Sequence, residues 1–297
     1  MRITSYQGEV IIMKKWLAIL LAAMLLCGAA LAEYIETELN GAQRLEVDEV
    51  YEIDLDGDGK PETVRSQMQG FDEENHLQLL VENGEQIYFY DTYIYYPDGI
   101  YVTDMDGDGI PEILLCGDEL SADYFSWCLK FDAEQGLTNI PFADASRGEN
   151  SDDYQDCGYG RIIKIDGSTL TMMGTQDALG TYWCTREFTL RDGNFELDDD
   201  GIWHVVVDTS NPDTWEYAYL ELIRELDVTL EDGSEATLPV GEKFVITETD
   251  KVSYVGFETQ SGTRGTFPIE FDETEGWGFK IHDINEYEYF DYIPYAD

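Results

Sequence analysis

Residues 54–62 read D-L-D-G-D-G-K-P-E and residues 104–112 read D-M-D-G-D-G-I-P-E, nine-residue segments that agree at seven positions and start 50 residues apart. Each follows a short apolar, strand-like run (50–53 and 100–103) and precedes another (63–64 and 113–115). A repeated strand–loop–strand unit of this kind points to a repetitive β architecture. The turns agree. Asn83-Gly84, Asp98-Gly99, Asp166-Gly167, Asp192-Gly193 and Asp232-Gly233 each lie between β-branched, aromatic or alternating runs. Such dipeptides adopt the left-handed backbone that two-residue hairpins need, so five hairpins are expected. The one stretch with helical character is 215–226. Leu222, Ile223 and Leu226 suit a helix face, whereas Trp215, Tyr217 and Tyr219 alternate as in a strand. The expected class is mainly β.

The repeated loops also carry the clearest chemistry. Asp54, Asp56 and Asp58, and likewise Asp104, Asp106 and Asp108, stand at loop positions 1, 3 and 5. A tightly wound backbone brings such a triad around one point, and Gly59 and Gly109 at position 6 permit the winding. The position-7 carbonyls of Lys60 and Ile110 can add a neutral oxygen, and Glu62 and Glu112 at position 9 a further carboxylate. Many hard oxygens in one loop suit Ca²⁺, giving two expected Ca²⁺ sites. These are not EF-hands. Position 12, where that motif needs a bidentate Glu, is Arg65 in one loop and Leu115 in the other, and the Pro at position 8 opposes an exiting helix.

The D-x-D-G-D-G-x-P-E loops with apolar strands on both sides resemble the calcium loops of FG-GAP and integrin-type β-propeller repeats. In that family the loop joins neighbouring strands of a blade. The resemblance implies that the Asp residues at positions 1, 3 and 5 are ligands. The integrin form usually has Asp at position 9, where Glu62 and Glu112 stand here. A third, decayed copy is Glu196-Leu-Asp198-Asp-Asp200-Gly201, with His204 at position 9; it reads more readily as an acidic turn. Residues 46–225 would supply about four blades at ~40–45 residues each, so an irregular or incomplete propeller is expected. Residues 147–160, rich in Gly, Asp and Ser, read as a long exposed loop.

The C-terminal part differs. L-P-V-G-E-K-F-V-I-T-E-T-D, K-V-S-Y-V-G-F-E-T and S-G-T-R-G-T-F-P-I (238–250, 251–259 and 261–269) are three short strands joined by turns. Their order is similar to bacterial SH3-like domains, with Tyr254 and Thr266-Phe267 where that family has Trp. Together with the tail Y-E-Y-F-D-Y-I-P-Y-A-D, the chain resembles exported bacterial proteins that combine D-x-D-G-D-G loops with such a module. The organisation expected is a signal peptide over 1–32, a propeller-like calcium-binding domain over 33–225 and an SH3-like barrel over 226–297.

Lys14-Lys15, an apolar run over 16–26 and Ala30-Leu31-Ala32 have the order of a secretory signal, cleaved after Ala32, with Met13 as an alternative start. A lipoprotein reading of Cys27 meets Leu26 where a small residue is expected. Export permits two disulfides among Cys116, Cys128, Cys157 and Cys184. The local pairs would be Cys116–Cys128 and Cys157–Cys184, and the alternative is four small buried hydrophobes.

Charge narrows the partners. The chain has 63 Asp and Glu against 17 Lys and Arg, a formal net charge of -46. That excludes a phosphate-neutralising surface for nucleic acid and argues against an anionic membrane surface. His76, His204 and His282 stand in no nucleophile motif, and the chain has no G-x-S-x-G, H-E-x-x-H or phosphate-cradling Gly loop. The expectation is a non-catalytic, exported calcium-binding β-protein that holds an extracellular protein or glycan. The alternative is an extracellular hydrolase or its carbohydrate-binding accessory.

Overall fold

The computed structural model describes residues 38–70, 76–119, 123–143, 157–198, 201–217, 219–272 and 278–295. The expected signal sequence over 1–32, with Cys27 and the cleavage point after Ala32, lies outside these residues. So do 147–156 of the expected long loop, and Asp199 and Asp200 of the third acidic segment.

The fold is mainly β, in antiparallel sheets that are open paths of strands. After β1 (Gln43–Leu45) comes a four-stranded meander, β2 (Val50–Ile53), β3 (Glu62–Gln69), β4 (His76–Asn83) and β5 (Gln86–Asp91). A second meander follows: β6 (Tyr96–Thr103), β7 (Glu112–Asp118), β8 (Tyr124–Asp132) and β9 (Gly136–Ile140). It is widened by β1 beside β6 and by β10 (Gly158–Tyr159) beside β8. The third sheet starts with β11 (Arg161–Asp166), β12 (Thr169–Asp177), β13 (Thr181–Arg191), β14 (Asn194–Leu197) and β15 (Trp203–Val205). One helical turn, α1 (Thr214–Tyr217), precedes β16 (Leu220–Glu221), β17 (Leu226–Leu230), β18 (Glu235–Leu238), β19 (Lys243–Thr249), β20 (Tyr254–Thr259) and β21 (Arg264–Pro268). Because Trp203 pairs with Thr249 and His204 with Glu248, this sheet runs continuously across residue 225. A small sheet of β22 (Glu270–Phe271), β23 (Phe279–Ile281) and β24 (Ile284–Asn285) completes the set. Among the described residues no helix is long and apolar enough to cross a membrane.

Burial follows from which faces are covered. β3 alternates, with Val64 and Ser66 buried between the half-exposed Thr63, Arg65 and Gln67, so one face meets the core. β7 is buried continuously from Glu112 to Gly117, and its run Ile113-Leu-Leu-Cys116 is apolar without alternation. Its sheet is packed on both faces. Ile113, Leu115 and Leu129 join Val64, Leu79 and Val81 of the first sheet in one core. Leu114, Cys116 and Cys128 join Ile162, Met172 and Phe188 of the third in another. A separate core around Phe244, Phe257, Phe267 and Phe290 holds the C-terminal strands.

Four of the five expected hairpins form, at Asn83-Gly84, Asp166-Gly167, Asp192-Gly193 and Asp232-Gly233. Asp98-Gly99 does not turn. β6 runs straight through it with a bulge between Pro97 and Gly99, and glycine is needed there because a Cβ would lie 2.1 Å from the Tyr101 hydroxyl. The ambiguous stretch 215–226 resolves as one helical turn and then strand, with Leu220 and Leu222 buried either side of exposed Glu221. The end of the expected exposed loop at 147–160 is instead ordered and internal: Cys157, Gly158 and Gly160 are buried. Gly158 pairs with Ser126, and a Cβ on it would meet Phe142 at 2.8 Å. The cysteine pairs are overturned as well, for all four are buried thiols outside any disulfide. Cys116 and Cys128 are on adjacent strands but out of register, Cys116 opposite Ser126 and Cys128 opposite Leu114. Burial pushes the Cys116 thiol up to about 12, so it is an inert small hydrophobe.

One buried acid sets a pH response. Glu286 is fully buried, where its Oε2 accepts from the Phe279 N–H at 3.0 Å and both oxygens accept from the Tyr295 hydroxyl at 3.1 Å. Burial raises its pKa above the ordinary 4.5 despite these bonds. The folded state therefore holds this proton more tightly than the unfolded state. Its contribution to stability is full below about pH 4.5 and is lost as pH rises through the raised value. Urea unfolding at pH 5 and pH 8 should show a smaller loss on raising pH for Glu286→Gln than for the parent chain.

Candidate metal centre

Each repeated loop joins two paired strands. Ile53 pairs with Glu62 across β2 and β3, and Thr103 with Glu112 across β6 and β7, so each acidic loop closes the end of a ladder. The position-2 residues anchor it. Leu55 is fully buried and Met105 nearly so, each in a core beneath its loop. Alternating with them, the position-1, -3 and -5 carboxylates are left at the surface or half-buried.

The two loops share one hydrogen-bond pattern. Asp54 accepts from the Gly57 N–H at 2.8 Å and the Gly59 N–H at 2.9 Å, and Asp104 accepts from Gly107 and Gly109 at the same distances. Asp56 and Asp106 accept from the N–H two residues on at 3.0 Å. Asp58 accepts from the Lys60 N–H at 2.7 Å, and Asp108 from that of Ile110 at 2.8 Å. Glu62 and Glu112 fold back under their loops to accept from the N–H of Leu55 and Met105, both at 2.8 Å. Gly59 and Gly109 have φ of +84° and +88°, as tight winding at position 6 requires. The loops are neighbours, since a Cβ on Gly57 would lie 3.2 Å from Ile110 Cγ1.

Which oxygens converge differs between them. In the first loop Asp54, Asp56 and Glu62 each offer an oxygen within 4.8 Å of the others. Asp58 is drawn aside by Lys60, whose Nζ donates to it at 2.8 Å, and that bond holds the Asp58 carboxyl below its ordinary range. In the second loop Asp104, Asp106 and Asp108 converge within the same limit. Burial raises the pKa of Glu62 and of Glu112, and neighbouring Asp carboxylates add to this. Glu112 is fully buried, and its Oε1 has no hydrogen-bond partner. A buried carboxylate oxygen is costly unless a cation serves it, and here the Lys130 ammonium stands 3.7 Å away. The donor set is oxygen throughout, three converging carboxylates in each loop, the kind of ligand that hard divalent cations take.

A residue without a place in the motif enters here. Lys130, on β8, donates from Nζ to Asp108 at 2.8 Å and stands 3.5 Å from Asp106 and 3.7 Å from Glu112 Oε1. Its bond holds the Asp108 carboxyl low. Nothing local in the sequence marks it, because strand register brings it there. In the third acidic segment the described acids, Glu196 and Asp198, both pair with Arg191, and His204 lies 3.7 Å from Glu248. These side chains face protein partners.

No protein-family model, curated protein or solved structure matches the chain.

Proposed function

We propose that this chain is an exported, non-catalytic calcium-binding β-protein, an adhesion or scaffolding module at the cell exterior. Each of its two D-x-D-G-D-G-x-P-E loops would hold one Ca²⁺. The observation that carries the reading is the convergence of Asp54, Asp56 and Glu62 in the first loop, each offering an oxygen within 4.8 Å of the others, with Glu62 buried. The same backbone pattern repeated 50 residues away supports it. Bound Ca²⁺ would draw on Asp54, Asp56 and Glu62 in one loop, and on Asp104, Asp106, Asp108 and Glu112 in the other. It would relieve the mutual repulsion of carboxylates crowded into nine residues and fix the loop on its strands.

The wider architecture is part of the proposal. Two strand–loop–strand–strand–strand meanders packed face to face support the reading of propeller-like blades. The antiparallel run β19–β20–β21, joined to β17–β18, supports an SH3-like module at the C-terminus. The lysine pair, apolar run and A-L-A site near the N-terminus support export. An ion held by so many protein oxygens leaves few positions for substrate or attacking water, so its role is structural. Rigid loops on a β body then present a fixed surface to another exported protein or a glycan.

Purified chain with Ca²⁺ should turn over none of a panel of polysaccharide, peptidoglycan and peptide substrates. Turnover abolished by replacing one acid outside residues 54–62 and 104–112 would make it an enzyme instead.

A further inference from the structure

The two loops are nearly identical in sequence and hydrogen bonding, but not in the cations around them. The second loop already holds one. The Lys130 ammonium lies among Asp106, Asp108 and the buried Glu112 Oε1, which accepts no hydrogen bond, at 3.5, 2.8 and 3.7 Å. It arrives from β8, outside the loop, and its side chain is two-thirds buried at 33% exposure. Register accounts for its position: Ile113 pairs with Leu129, so Lys130 is the next residue along, beside Glu112. An ammonium carries three donors and no acceptor, matching three carboxylates at one point.

The first loop lacks this arrangement. Thr63, the counterpart of Ile113, pairs with Glu82, which puts the neutral Asn83 where the second loop has Lys130. The cation paired with an acid of this loop is Lys60, which is 82% exposed and reaches Asp58, a residue outside the converging group Asp54, Asp56 and Glu62. Among the described residues, none sets a fixed positive charge at the centre of the first loop for an entering Ca²⁺ to meet. Ca²⁺ entering the second must displace an ammonium from its ligands or sit within a few ångströms of it, and either is unfavourable.

We infer that Lys130 is a tethered cation competing with Ca²⁺ for the second loop, so that the two sites fill at different Ca²⁺ concentrations, the first loop first. The inference rests on the calcium reading of both loops. It makes the second loop the one whose occupancy responds to external Ca²⁺, while the first stays filled as a structural site.

The test is Ca²⁺ titration calorimetry of the full chain in two backgrounds, Asp106→Ala to isolate the first loop and Asp56→Ala to isolate the second. The second loop should bind at least about tenfold more weakly than the first. Adding Lys130→Met should strengthen the second loop about tenfold or more and leave the first unchanged. Asn83→Lys should weaken the first. A second loop that binds Ca²⁺ only once Lys130 is replaced would equally support the inference. Lys130→Gln serves should the Met variant fail to fold, judged by its circular dichroism. Unchanged second-loop affinity in a folded Lys130 variant, with both loops binding, overturns the inference and leaves the calcium reading intact. No Ca²⁺ binding by the parent chain or any variant removes the calcium reading and this inference together.

Discussion

Adding Ca²⁺ to chelator-stripped protein should raise its melting temperature by on the order of 10 °C. A ligand that binds only the folded state stabilises it by about 2.7 kcal/mol per site at a hundred times its dissociation constant. Two sites would give about 5 kcal/mol, and each kcal/mol moves the midpoint of a chain this size by roughly 2–4 °C. Folding is what assembles the site, because Asp54, Asp56 and Glu62 converge only when Leu55 is buried and Glu62 has entered β3. Mg²⁺ at equal concentration should shift the midpoint much less, since it demands a smaller, near-octahedral shell. Differential scanning fluorimetry with Ca²⁺, Mg²⁺ and monovalent salt at matched ionic strength checks this. Equal shifts from all three would reduce the effect to general screening of a very acidic chain.

The second large effect belongs to the C-terminal core. Phe244 is fully buried on β19, with Phe257, Phe267 and Phe290 at ring-centroid distances of 5.6, 5.9 and 5.9 Å. Edge and tilted contacts of this kind contribute beyond the area they bury. Phe244→Ala should cost about 3–5 kcal/mol, the lost transfer free energy plus a cavity that three rings cannot fill. Tyr254→Ala on the next strand, half-buried, should cost less. Urea unfolding of both variants against the parent chain measures the difference, and a Phe244→Ala cost no larger than that of Tyr254→Ala would contradict the placement of this core.

Local chemistry in the sequence was legible where a turn depends on its own residues. Asn83-Gly84 and three Asp-Gly pairs make hairpins because the glycine of each supplies a left-handed backbone, joined by Asp192 in one of them. Asp98-Gly99 carries the same letters for a different cause. Gly99 is small because the Tyr101 ring folds over it within a bulged strand, a contact that needs the finished sheet. The acidic loops were legible for the same local reason, since each backbone N–H that their carboxylates accept from lies at most seven residues away. Lys130 was not. It reaches Asp108 across 22 residues of chain, through the pairing of β7 with β8. The cysteines fall on the same side of that divide. Twelve positions separate Cys116 from Cys128, but only register shows that they face Ser126 and Leu114.

Each loop should hold one Ca²⁺. Equilibrium dialysis of chelator-stripped protein against radioactive Ca²⁺ at several millimolar measures it directly. The expected count is about two ions per chain, falling by about one in Asp56→Ala and by about one in Asp106→Ala. A parent chain that retains no Ca²⁺ at that concentration would contradict it.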